Sequence, residues 1–297
     1  MYKIQIPATS ANLGAGFDAL GLALNYYNYV EMEECDHIDI ASADGVEVPC
    51  DERNLIYVSA KDLYTVCGKK LDGLKLRQTN SIPMARGLGS SSACIIAGLV
   101  GANKMLGDPL TKDDLVDLAA QIEGHPDNTA PALLGGIVTA VFDGRKVPWV
   151  KQEVYTKLKF VAMIPDFELK TEDARACLPK EISHKDAVFN LSRAALFSAS
   201  LLTGKFENLR TAVHDKLHQP YRMELIPGCR EVFDIAYTHG AYASYISGAG
   251  PTVMAIVDEE NTYFAGRMKF SLDNAGLGGW QVKEMCIDNQ GTTITSC

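Results

Sequence analysis

Apolar and polar residues alternate along Tyr2-Lys3-Ile4-Gln5-Ile6, the two-residue period of a strand with one buried face. Pro7, which has no N–H to give a ladder, marks its expected end. Further strands are predicted over residues 26–32, around 38–40 and at 74–76. The period then changes. Ala93-Cys94-Ile95-Ile96-Ala97-Gly98-Leu99-Val100 is apolar on every side and predicts a buried helix lasting until Gly107. A second helix is announced by Thr111-Lys112-Asp113-Asp114, whose threonine and third-following acid form a capping box. Leu115, Leu118, Ala119 and Ile122 recur at helical spacing, and Gly124 stops the run. Residues 135–141 read as a strand whose leading glycines let another backbone come close.

Past Trp149 the pattern shifts. Residues 160–165 form a buried-strand signal. Helices are predicted over 187–202 and 207–217, strands over 243–246 and 252–257, a helix over about 260–275 and a last strand near 281–287. Strand, helices, two strands, helix and strand predict an α+β unit of ferredoxin-like type. The expected division is 1–155 and 156–297. No internal repeat, low-complexity stretch or flexible linker stands out.

The 297 residues are 47% hydrophobic and 22% charged, an ordinary globular balance. A net charge of −9 argues against nucleic acid or an anionic membrane as partner, because phosphate backbones select basic surfaces. Any phosphate ligand must then be held by local devices: backbone N–H groups, a few cations and a metal ion. The cysteines (35, 50, 67, 94, 177, 229, 286 and 297) show neither C-x-x-C nor paired zinc spacing and read as free thiols of a reducing compartment. Asp18 interrupts the first apolar stretch, so neither a signal peptide nor a membrane span is expected, and the expected location is the cytoplasm.

The most informative stretch is Pro83-Met84-Ala85-Arg86-Gly87-Leu88-Gly89-Ser90-Ser91-Ser92-Ala93. Its two glycines can take backbone angles closed to other residues, so that successive N–H groups turn inward around an anion. The helix that follows adds the positive end of its dipole. The serines are expected as helix caps, and one hydroxyl is available to a metal ion. The run is not a Walker A sequence, a dinucleotide fingerprint or a nucleophile elbow. Without an elbow or a persuasive base, a serine hydrolase is disfavoured. The stretch resembles the second motif of the GHMP small-molecule kinases, P-x-x-x-G-L-G-S-S-[SA]-A. That resemblance implies a two-domain GHMP kinase fold, with a ribosomal protein S5 domain 2-like N-terminal ATP-binding domain and a ferredoxin-like C-terminal domain. It also implies that residues 83–93 wrap the phosphates of ATP.

Other residues carry chemistry of their own. Asp18 lies among Phe17, Leu20 and Leu22, where a buried carboxylate needs a partner; a ligand ammonium, a helix cap or a Lys or Arg of the chain would serve. Glu123 closes a helix at the negative end of its dipole, which points either to a cation nearby or to a solvated, fraying end. His125-Pro126-Asp127-Asn128 is a rigid turn suited to presenting side chains. Arg175 and Arg222 are either solvated or clamps for a carboxylate.

Within the GHMP kinases the first motif, Pro7 to Gly21, and the turn H-x-D-N-x-A-P resemble the branch that phosphorylates homoserine. The resemblance implies that Asn12, Asp18, His125, Asn128, Thr171, Arg175 and Arg222 bind L-homoserine and that Ser91 and Glu123 share Mg²⁺. Asn128 and Glu123 are then the catalytic residues. Mevalonate- and galactose-type relatives carry lysine where Thr9 stands and aspartate where Asn128 stands. An amide cannot take a proton at neutral pH, so the resemblance implies positioning and charge stabilisation rather than base catalysis. Ser247-Gly248-Ala249-Gly250-Pro251-Thr252 matches the third motif, expected to pack on the phosphate loop. Asn54 is the expectation for the adenine pocket, and a homodimer is the assembly the family implies. A non-catalytic ligand sensor of the same fold would be expected to show a damaged loop or metal pair, and both are intact.

Overall fold

The computed structural model describes residues 1–153 and 157–296; the expected division at 155/156 and Cys297 lie outside them. The first sheet is built from β1 (Tyr2–Ala11), β2 (Leu20–Cys35), β3 (Ile38–Ser42), β4 (Gly73–Thr79), β5 (Ile137–Ala140) and β6 (Trp149–Gln152), with α1 (Leu55–Val66), α2 (Ser90–Met105), α3 (Lys112–Glu123) and α4 (Thr129–Leu134) between them. The second is built from β7 (Leu158–Ile164), β8 (Ala243–Ile246), β9 (Val253–Asp258) and β10 (Gln281–Met285). Its helices are α5 (Thr171–Ala176), α6 (His184–Thr203), α7 (Leu209–Ala212), α8 (Gln219–Arg222), α9 (Cys229–Thr238) and α10 (Phe264–Asn274). A last strand, β11 (Thr293–Ser296), returns to pair antiparallel with β1, Tyr2 opposite Ser296.

The first sheet runs β11-β1-β2-β4-β3, and β5 bridges β2 to β6. All its pairs are antiparallel except β3 with β4. The second runs β10-β7-β9-β8, antiparallel throughout, which is the ferredoxin-like order. Residue alternation on β7 divides the cores. Leu158, Phe160, Ala162 and Ile164 face the core shared with the first sheet, whereas Val161 and Met163 join Val232, Phe264, Met268 and Leu272 of α9 and α10. The two sheets thus pack through one continuous apolar core, and the cleft opens where their loops meet. No helix among the described residues is long and apolar enough to cross a membrane.

Two local expectations are corrected, and a third residue is placed. The strand expected to end at Pro7 continues to Ala11 because the register shifts between Pro7 and Ala8, and such an irregularity absorbs the missing donor. The helix expected over 207–217 breaks after Ala212, and the Asp215 carboxylate accepts the N–H groups of Leu217, His218 and Gln219 at 2.9, 2.8 and 2.6 Å. That cap redirects the chain into α8. Asn54, expected in an adenine pocket, caps α1: its Oδ1 accepts from Ile56 and Tyr57 and its Nδ2 donates to Pro49 O and Gln78 Oε1. Its side chain is fully engaged.

Candidate active site

A cleft of about 620 Å³, partly open to solvent, is lined by loops from both halves of the chain. Its floor is the turn from β4 into α2. Gly87 and Gly89 hold φ of 73° and 72°, and Gly89, not a serine, is the N-cap of α2. The expected serine caps are therefore corrected: Ser90, Ser91 and Ser92 form the first helical turn, and no side chain caps it. Among the described residues their N–H groups have no acceptor. Uncapped amides and the dipole's positive end converge on one place, which favours an anion there.

Ala85, Arg86, Gly87, Gly89, Ser90, Ser91 and Ser92 line the cleft, whereas Leu88 and Ala93 turn into the core. Pro83 and the exposed Met84 precede the lining residues. A Cβ on Gly87 would fall 2.3 Å from Ser247 O and 2.8 Å from Gly250 O. Ser247 Oγ donates to Gly87 O at 2.6 Å, so the 247–252 segment packs directly on the glycine-serine loop, as expected. Arg86 straps the loop to the second half, donating to Pro165 O and Asp166 O at 3.1 and 2.9 Å.

Beside the loop, Glu123 ends α3. Ser92 Oγ donates to it at 3.0 Å and Ser91 Oγ at 3.4 Å, so Ser92, which the sequence reading passed over as a partner, is the nearer hydroxyl. No lysine, arginine or histidine among the described residues forms an ion pair with Glu123. A carboxylate and two hydroxyls make an all-oxygen donor set of the kind Mg²⁺ takes.

The opposite end is held by the turn after α3 and by α5 and α8. His125 Nδ1 lies 2.6 Å from Oδ1 of the buried Asp127. Burial opposes charge on His125, yet the hydrogen bond and charge of Asp127 outweigh it and raise its pKa. Asp127 also lines the cleft; the sequence reading missed it, although a His-x-Asp pair in a proline-fixed turn was a legible signal. Asn128 accepts a hydrogen bond from Thr9 Oγ1 at 2.7 Å. Asn12 is engaged by its neighbours, its Oδ1 accepting from Asp18 N at 3.0 Å and its Nδ2 donating to Gly248 O at 2.9 Å.

Asp18 and Arg175, expected on opposite ends of a ligand, face each other in a two-bond fork of 2.8 and 3.2 Å. Thr171 precedes Arg175 by one turn of α5, and both line the cleft. Arg222 is only 2% exposed and has no carboxylate in an ion pair among the described residues. Its Nε donates to Ala174 O at 3.1 Å and its Nη1 to Gly248 O at 2.9 Å. Burial and then the charge of Arg175 push its pKa down. Both guanidiniums lie over the Phe17 ring, 5.2 and 5.6 Å from its centroid. A buried cation without a counter-charge is costly, so the place between these groups favours an incoming anion. Asp18, His125 and Asp127 offer ligand atoms within 4.8 Å of one another alongside, and acid and guanidinium together suit a zwitterion.

Uncapped helix amides that could take an anion, next to oxygen donors for a divalent cation and a separate end suited to a small charged molecule, are what a small-molecule phosphotransferase needs. The comparisons agree. The family model for the GHMP kinases N terminal domain matches residues 54–136, and that for the GHMP kinases C terminal matches residues 197–265. A homoserine kinase of Clostridium beijerinckii is 48% identical over 99% of this chain and 98% of its own. One from Caldicellulosiruptor bescii is 44% identical over 100% and 97%. The crystal structure of homoserine kinase from Cytophaga hutchinsonii superposes with a TM-score of 0.87 at 31% identity, covering 99% of this chain and 96% of that one. The chain belongs to the GHMP kinases, and its fold is the one expected from the sequence.

Proposed function

We propose that the protein transfers the γ-phosphoryl group of ATP to the side-chain hydroxyl of L-homoserine, a step toward threonine. The observation that carries this reading is the buried Arg222, with no carboxylate in an ion pair among the described residues, lining the same cleft as the Asp18–Arg175 fork. An amino acid would open that fork, its ammonium taking Asp18 and its carboxylate the two guanidiniums, with Thr171 and His125 beside them. The 44–48% identity to homoserine kinases over nearly the full length of both chains supports the same substrate.

The triphosphate would lie on the amides of residues 87–92. Ser91, Ser92 and Glu123 would hold Mg²⁺, which supplies charge neutralisation to the phosphates when bound. Asn128 orients the hydroxyl. Its oxygen bonds to the γ-phosphorus, the bond to the β-phosphate oxygen breaks toward ADP, and the hydroxyl proton leaves to a phosphoryl oxygen. A loose transition state needs little base, which is why an amide suffices there. The protein is proposed to act in the reducing cytoplasm, in keeping with seven unpaired described cysteines, and as a homodimer, which sedimentation checks.

A coupled ADP-release assay with Mg²⁺ tests the reading. Turnover is expected with L-homoserine and none with mevalonate or galactose. Turnover with a sugar or mevalonate and none with homoserine would reject it.

A further inference from the structure

Thr9 touches both halves of the reaction machinery without being assigned to either. It sits on β1, fully buried. Its N–H donates to Leu88 O at 3.1 Å, inside the phosphate loop. Its Oγ1 donates to Asn128 Oδ1 at 2.7 Å. Gly89 lies directly over this pair: a Cβ there would fall 1.9 Å from Thr9 Oγ1 and 3.3 Å from Asn128 Oδ1. One residue thus ties the amide beside the acceptor to the loop beneath the donor.

The chemistry of the tie is directional. A primary amide has an acceptor end and a donor end, and a threonine hydroxyl has one proton to give. With that proton committed to Oδ1, the Nδ2 end of Asn128 is turned away from Thr9. We propose that Thr9 is a positioning residue that fixes the Asn128 amide with its donor end toward the reacting oxygens. This rests on the functional reading above. A fixed donor stabilises charge gathering on the hydroxyl and phosphoryl oxygens and needs no reorganisation during transfer. An amide free to flip presents its acceptor end half the time, against the phosphates.

Steady-state kinetics on Thr9→Val, Thr9→Ser, Asn128→Ala, Asn128→Asp and the Thr9→Val/Asn128→Ala double variant test this. Thr9→Val is expected to lower kcat about tenfold, the worth of one hydrogen bond in a transition state, with KM for ATP and homoserine nearly unchanged. Thr9→Ser should restore the rate. In the Asn128→Ala background, Thr9→Val should cost nothing further, because the group it orients is gone. Asn128→Asp should lose at least as much as Asn128→Ala, since a carboxylate turns an anionic acceptor toward the phosphates. The inference is overturned if Thr9→Val costs the same factor in both backgrounds, or if Asn128→Asp keeps the wild-type rate. Should Thr9→Val fold poorly, Thr9→Ala, which removes the hydroxyl without adding bulk, is measured in both Asn128 backgrounds in its place, with the same expected and overturning results. A wild type that does not phosphorylate homoserine sinks the functional reading instead; an active wild type with additive variants sinks this inference alone.

Discussion

Two residues in contact, Arg222 lining the cleft and His218 buried one turn before it, meet burial differently. Arg222 has no carboxylate in an ion pair among the described residues, and burial disfavours charge on His218. His218 is fully buried, stacked on Phe17 at 5.0 Å, with Nε2 2.8 Å from Gly14 O. If Nε2 donates there, Nδ1 is the acceptor facing Arg222 Nη1 at 3.3 Å. Arg222→Lys keeps the charge but loses the planar fork. It is expected to raise KM for homoserine roughly 100-fold, about the worth of a charge-assisted pair, while KM for ATP holds; equal rises in both would point to general damage. Burial pushes the His218 pKa down, with the nearby Arg222 adding and Asp215 opposing. Unfolded, the same ring titrates near 6.5. The unfolded chain therefore binds more protons below that value, so this stability is present above about pH 6.5 and lost as pH falls toward the folded-state pKa. The unfolding free energy from urea titrations should drop between pH 7.5 and 5.5, by at most about 1.4 kcal/mol per pH unit from this group. His218→Gln should flatten the slope, and parallel slopes would contradict the assignment.

The phosphate-loop element works because backbone meets backbone. Gly87 at φ 73° leaves no room for a Cβ against Ser247 O and Gly250 O. Gly87→Ala combines left-handed strain with overpacking against main chain, each about 1–3 kcal/mol. A melting temperature several degrees lower and weakened ATP binding are expected, and a stable variant with normal nucleotide affinity would refute the close approach. This element was legible in the sequence because glycines and serines spell out a backbone task. The capping box of α3 was legible for the same reason, and Thr111 and Asp114 do bond reciprocally. Other elements escaped, α1 and α9 among them. α1 has its cap at Asn54 and buried Ile56, Ala60 and Leu63 at helical spacing, but the asparagine was not used as a cap signal. α9 begins at a left-handed Gly228 and buries Cys229, Val232 and Ala236, a narrow stripe among charged neighbours. Ionic partnerships were harder still. No local pattern in the sequence says that Asp18 and Arg175, 157 positions apart, meet.

At the scale of the molecule, the cleft depends on two sheets staying in register with each other. The shared core beneath β7 holds them, and β11 stitches the chain's tail to β1 through Gln5 opposite Thr293 and Ile4 opposite Ile294. That tail strand lies almost 300 residues from its partner, beyond any periodicity argument, and only the packed structure brings them together. Removing residues 292–297 should lower the melting temperature by a few degrees, as expected for losing about 1–2 kcal/mol, and leave both KM values near normal. A truncated protein with wild-type stability would show that the pairing contributes nothing. In the proposed function one cleft seats a triphosphate on bare helix amides and an amino acid between Asp18 and the two guanidiniums. A crystal structure with a non-hydrolysable ATP analogue and L-homoserine tests this most directly. The phosphates should lie on the amides of residues 87–92, with the amino-acid carboxylate on Arg222 and its hydroxyl near Asn128. Phosphates bound elsewhere, or homoserine absent from the arginines, would contradict it.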